Sequence, residues 1–199
     1  MKPEAIEAAA AALARAQKAT QIILSHGREP LPHNMVRVLE AWSDVLTYGN
    51  RVFGKPEQGA KWGPGDSWFK AVKADRSADP LLHYLHEARN AEDHGIKATS
   101  AADQYDLFVE LKPGVPVTMY SHDGLANSLR VDSGPNVRKE IGLLAVKWRE
   151  GLISVPHEHK GQPILDSSPY NFAVLFIARL EEIIEEARTY LPASARSLS

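Results

Sequence analysis

The chain has 199 residues, 44% of them hydrophobic and 24% charged, with a formal net charge of −2 and no cysteine. A chain of this size and composition builds one substantial core without covalent staples. The missing cysteines exclude thiol catalysis, thiolate zinc sites and disulfide frameworks, and the near-neutral charge argues against a globally basic nucleic-acid coat.

The alanine-rich start, Met1 to Leu24, is interrupted by Glu4, Glu7, Arg15 and Lys18. A secretory signal needs an uninterrupted apolar stretch, and a membrane span needs about twenty nearly uncharged residues. The expectation is a cytoplasmic protein with no membrane partner. Pro3 suits a first helical turn, and Ile6, Leu13, Ala16 and Ile23 give the helix a thin apolar stripe. His26-Gly27 is its predicted stop.

A second helix is predicted from Asn34 to Phe53. Val38, Trp42, Val45, Gly49 and Val52 form one stripe, and Val36, Leu39 and Leu46 form a second. Gly54 to Gly65 reads as a loop from its glycines and prolines. A short helix follows, with Trp68, Phe69 and Val72 as its apolar side. Asp79-Pro80 is a cap followed by proline at the first helical position, and the pattern stays helical to His94. Leu81, Tyr84, Leu85, Ala88 and Ala91 make its apolar face. His83, His86, Glu87, Asn90 and His94 make the opposite one.

From Tyr105 the period changes to two. Leu107, Val109 and Leu111, then Val115, Val117 and Met119, predict a hairpin turning at Pro113-Gly114. Ser121 to Pro135 reads as turn-forming residues. A second strand pair is predicted from Ile141 to Trp148 and Leu152 to Val155, across Glu150-Gly151. Ser168-Pro169 repeats the cap-and-proline start and opens a long helix to Tyr190, followed by a frayed tail. Glu181, Glu182, Glu185 and Glu186 read as the solvated face of that helix.

The predicted fold is mainly α: an antiparallel helical bundle, residues 1–95 and 168–191, carrying a small antiparallel β-sheet inserted over about 105–156. All 199 residues form one domain.

The segment Arg89-Asn90-Ala91-Glu92-Asp93-His94 holds the best candidate site. An arginine fork suits a phosphate, histidine carries protons near neutral pH, and Asn90 adds a neutral donor and acceptor. Together they suit the cleavage of a phosphodiester through a ribose 2′-hydroxyl, with no metal and no cofactor. Arg89 and His94 stand about 140° apart on a regular helix. They converge only where the helix ends, or across two copies of the chain. The plainer reading makes His94 a C-terminal residue before a capping glycine, and Arg89 a surface cation beside Asp93.

The text Leu82-His83-Tyr84-Leu85-His86-Glu87-Ala88-Arg89-Asn90-Ala91-Glu92-Asp93-His94 resembles the signature of the HEPN family. In it an arginine, a polar residue and a histidine four to six places on close a bundle helix. The resemblance implies a helical, usually dimeric domain that acts on or binds RNA, with Arg89, Asn90 and His94 as catalytic residues meeting at the dimer interface. It equally allows a non-catalytic module that binds a protein partner, and the inserted sheet departs from the family pattern.

Two metal readings compete: the His83/His86/Glu87 face of the same helix, and the His157-Glu158-His159 alternation. Both have ordinary explanations, as a helix face that is solvated or at an interface and as a turn leaving a strand. Ser121-His122-Asp123 carries the residue types of a hydrolase triad, but neighbours in sequence cannot form that relay. Trp42, Trp62, Trp68 and Phe69 are expected to anchor core and loops.

Overall fold

The computed structural model describes residues 1–27, 32–93, 108–109, 119–121, 129–131, 137–138, 142–148 and 151–196. It is mainly helical, with α1 Pro3–Gly27, α2 Pro32–Ala60, α3 Asp66–Ala78, α4 Pro80–Asp93, α5 Pro169–Arg188 and the single turn α6 Ala193–Arg196. Helices α1 and α2 pack along each other, α5 packs on both, and α3 and α4 close the bundle over α2. The expected antiparallel bundle with antiparallel β additions is the observed fold.

Packing explains both the agreements and the departures. The buried seam of α1 is Ile6, Ala9, Ala12, Ala16, Ala19 and Ile23. Alanines at helical spacing let a neighbouring helix approach closely while Trp42, Val45 and Leu46 of α2 fill the core beside them. Of the second α2 stripe, Leu46 is buried but Val36 is exposed. The predicted loop from Gly54 begins too early: α2 runs on to Ala60 with Pro56 inside it. Proline removes one helical hydrogen bond, but Val52, Phe53, Pro56 and Ala60 are all buried there, and burial outweighs local propensity. Gly49 is needed for contact rather than for a turn. A Cβ at that position would lie 2.1 Å from Phe176 Cε1.

The first residues of the tail after Pro192 form α6 rather than fraying, and 197–199 lie outside the described residues. Trp62 is no core anchor; it is 91% exposed and sits at positive φ.

The strands form two-stranded antiparallel ladders. Strand β1 (Phe108–Val109) pairs with β4 (Val137–Arg138), and β2 (Met119–Ser121) pairs with β3 (Leu129–Val131). The described ends of the predicted hairpin pair elsewhere, while 105–107 and 110–118 lie outside the described residues, and a strand lies inside the segment read as turns. Alternation marks a strand but does not choose its partner. Pro113-Gly114 and His122-Asp123 lie outside the described residues. The other predicted pair is observed as β5 (Val146–Trp148) with β6 (Gly151–Ile153). A fourth ladder joins β7 (Glu158–His159) to β8 (Gln162–Pro163) through Lys160-Gly161, both at positive φ as a tight hairpin turn requires.

Candidate functional site

Helix α4 carries the predicted site, and its start is fixed by an acid with four contacts. Asp79 Oδ1 accepts from the Leu82 backbone N–H at 2.9 Å, and Oδ2 accepts from the Lys160 N–H at 2.7 Å. His159 Nδ1 lies 3.0 Å from both oxygens. Burial alone would raise the Asp79 pKa, but the Lys160, Leu82 and His159 bonds outweigh it and hold the carboxyl below its ordinary range. Asp79 is thus both helix cap and clamp for the β7–β8 hairpin. His159, half of the proposed two-imidazole chelate, is engaged by this clamp. Further along, Tyr84 Oη donates to the Leu144 carbonyl at 2.8 Å, and Val146 is buried, so the inserted segment also seats on the middle of α4.

The C-terminal half of α4 presents a connected polar group. Asn90 Nδ2 donates to Glu87 Oε2 at 3.3 Å, and its Oδ1 accepts from Arg89 Nη1 at 3.5 Å. These two contacts orient the amide. The same Nδ2 lies 3.4 Å from His86 Nε2. His86, Glu87, Arg89 and Asn90 are all half-buried.

His86 is pushed down to about 4, first by burial and then by the charges of Arg76, His83 and Arg89. It is neutral at pH 7. Tyr84, on the core side, is driven well above its ordinary value by burial and by the Glu92 charge.

Arg76, from α3, completes the group. Its guanidinium lies over the Phe53 ring, 5.0 Å from the centroid. Burial lowers its pKa, while Glu57 and Glu87 hold it up. Glu57 is bonded by Lys73 and Glu87 by Asn90. A small cleft opens between α2, α3, α4 and α5, with Asn50, Arg76 and His86 as its polar lining and Phe53, Leu85 and Phe176 among its apolar walls. It has room for little more than one water molecule.

Of the three predicted site residues, Arg89 and Asn90 are neighbours in contact, and His94 lies outside the described residues. His86 and Glu87 were legible as one face with Asn90 by their spacing of four and three. Arg76 was not, because nothing in its own helix ties it to α4.

A second ionic group sits on α5. Arg179, buried, donates to Asp75 at 3.1 Å, Glu182 at 3.0 Å and Glu186 at 2.9 Å. Glu182 also accepts from Lys160 Nζ at 2.7 Å, and Glu186 from the Trp68 indole at 2.8 Å. Two of the four glutamates read as a solvated face, Glu182 and Glu186, are also the partners of a buried cation. Among the described residues, no three metal-ligating side chains gather into one group.

No known protein family, characterised protein or solved structure matches the chain.

Proposed function

We propose that this chain is a HEPN-like domain that acts on or binds RNA as a homodimer, through the end of α4. One observation carries the reading: Arg89 and Asn90 stand half-buried and in contact on the last turns of a bundle helix, five and four positions before His94. A cation and a neutral amide fixed side by side suit a phosphodiester oxygen. In this reading Arg89 grips the phosphate, His94 exchanges the proton of the ribose 2′-hydroxyl, and Asn90 orients the pair. His86 does not take the proton role, because its depressed basicity makes it a poor acceptor near neutral pH. The spacing of Arg89 and His94 asks for a composite site made by two copies.

The test is RNA cleavage without divalent metal, comparing the native chain with His94→Ala at matched stability. Loss of cleavage in His94→Ala is the expected result. Equal cleavage by both would remove His94 from the mechanism, and no cleavage by either would favour a non-catalytic binding module. Sedimentation at assay concentration checks the assembly: a monomer that still cleaves would sink the composite site.

A further inference from the structure

We infer that the cleft between α2, α3, α4 and α5 binds an oxyanion of the phosphate class, whose oxygen is received by Arg76 Nε–H and His86 Nδ1–H. The site uses residues outside the Arg89–His94 motif and does not depend on its catalytic reading.

The case begins with the imidazole. A neutral imidazole has one donor and one acceptor nitrogen. Asn90 Nδ2 faces His86 Nε2 at 3.4 Å, and the amide is held in that orientation by Arg89 and Glu87. Nε2 is therefore the acceptor, and Nδ1 carries the hydrogen. That Nδ1 is buried and has no hydrogen-bond partner among the described residues. The same is true of Arg76 Nε.

Two residues on different helices that line one small cleft, Arg76 and His86, thus each hold a buried N–H without an acceptor among the described residues. Buried donors left unfilled are costly, which is why native interiors rarely keep them. A water molecule would accept from both but would have to place its own two hydrogens. The charges around the cleft favour a ligand with none to place. Arg76 and Arg89 both act on His86 as positive charges. Of the carboxylates that act on Arg76, Glu57 is paired with Lys73, and Glu87 is bonded by the Asn90 amide, with its other oxygen on the Nε2 side of His86 at 3.9 Å, away from Nδ1. The cleft has room for one oxygen atom and is partly open to solvent, so the rest of the anion lies at its mouth.

The experiment is a titration of the full chain with inorganic phosphate at pH 7 and constant ionic strength, read by the 15N resonances of His86. The expected result is a protonated Nδ1, a bare Nε2 and a saturable shift that chloride does not produce. The Arg76→Lys variant keeps a charge and a long stem but has no guanidinium Nε–H. It should weaken phosphate by at least about tenfold, the loss of one charge-assisted bond. A short single-stranded RNA in the same titration separates the sources. Displacement of phosphate by RNA assigns the site to a nucleic-acid backbone, and no displacement assigns it to a free phosphate. A bare Nδ1, or a response no different from chloride, would overturn the proposal and leave a water in the cleft. Equal saturation of the native and Arg76→Lys chains would overturn it too. Cleavage lost in His94→Ala speaks only to the RNA reading, so the two can fail separately.

Discussion

Arg179 and Arg76 are both arginines held against the bundle, and their surroundings differ in kind. Arg179 directs its two terminal nitrogens at three carboxylates from α3 and α5, leaving only Nε without a partner. Those carboxylates raise its pKa despite the opposing effect of burial. Arg76 has an aromatic ring beneath it and no hydrogen bond or ion pair among the described residues. A cation surrounded by carboxylates is neutralised and can only hold structure. A cation resting on an aromatic face keeps its donors for something else.

Four perturbations test how far this contrast extends. Arg179→Ala strands three carboxylates around a buried void. Because those carboxylates are half-exposed, the loss is expected at about 3 kcal/mol, the low end for a broken buried ion pair. Urea denaturation measures it, and a loss no larger than that of a surface arginine would erase the distinction.

Asp79→Ala should follow at about 2 kcal/mol, since it removes a helix cap and leaves the Lys160 N–H and His159 without their acceptor. Hydrogen exchange should show the β7–β8 hairpin opening more than the helices do. Uniform loosening would mean that Asp79 caps α4 without clamping the hairpin.

Acid gives the third test. His86 titrates at about 4 in the fold, against an ordinary value of about 6.5. Between those values the unfolded chain binds more protons, so the stability present at pH 7 falls as the pH drops through that window. His86→Gln should flatten the slope there. Asp79 acts in a lower window. Its depressed pKa contributes stability above the ordinary aspartate range, lost as the pH falls through its folded value. A slope unchanged by His86→Gln would show that the imidazole is not held neutral by its surroundings.

Arg76→Met is the smallest effect, below about 1 kcal/mol, because the apolar stem is kept and only the guanidinium's contact with the Phe53 ring is lost. A cost near that of Arg179→Ala would make Arg76 a structural residue like its counterpart.

The two groups were unequally legible. Arg89 and Asn90 drew attention by residue type and position, and their contact with His86 and Glu87 follows from helical spacing. The anchoring of Arg179 was not visible. Its glutamate partners recur on one helix face, which reads as a solvated surface until Asp75 and Trp68 of another helix are brought against them. The role of His159 was hidden for a related reason, since its partner lies 80 positions away.

Local chemistry alone determined the start of α4 and of α5, where Asp79-Pro80 and Ser168-Pro169 place an acceptor and a preformed φ at adjacent positions. It also determined the mainly helical class and the β5–β6 pair, because periodicity and turn residues act over a few neighbours. Tertiary structure decided what periodicity cannot carry. It prolonged α2 through Pro56 by burying both sides of the proline, and it paired β1 with the distant β4. It also set Arg76 of α3 beside His86 of α4. Which cation finds carboxylates and which keeps its donors is settled by residues distant in sequence, and so by packing alone.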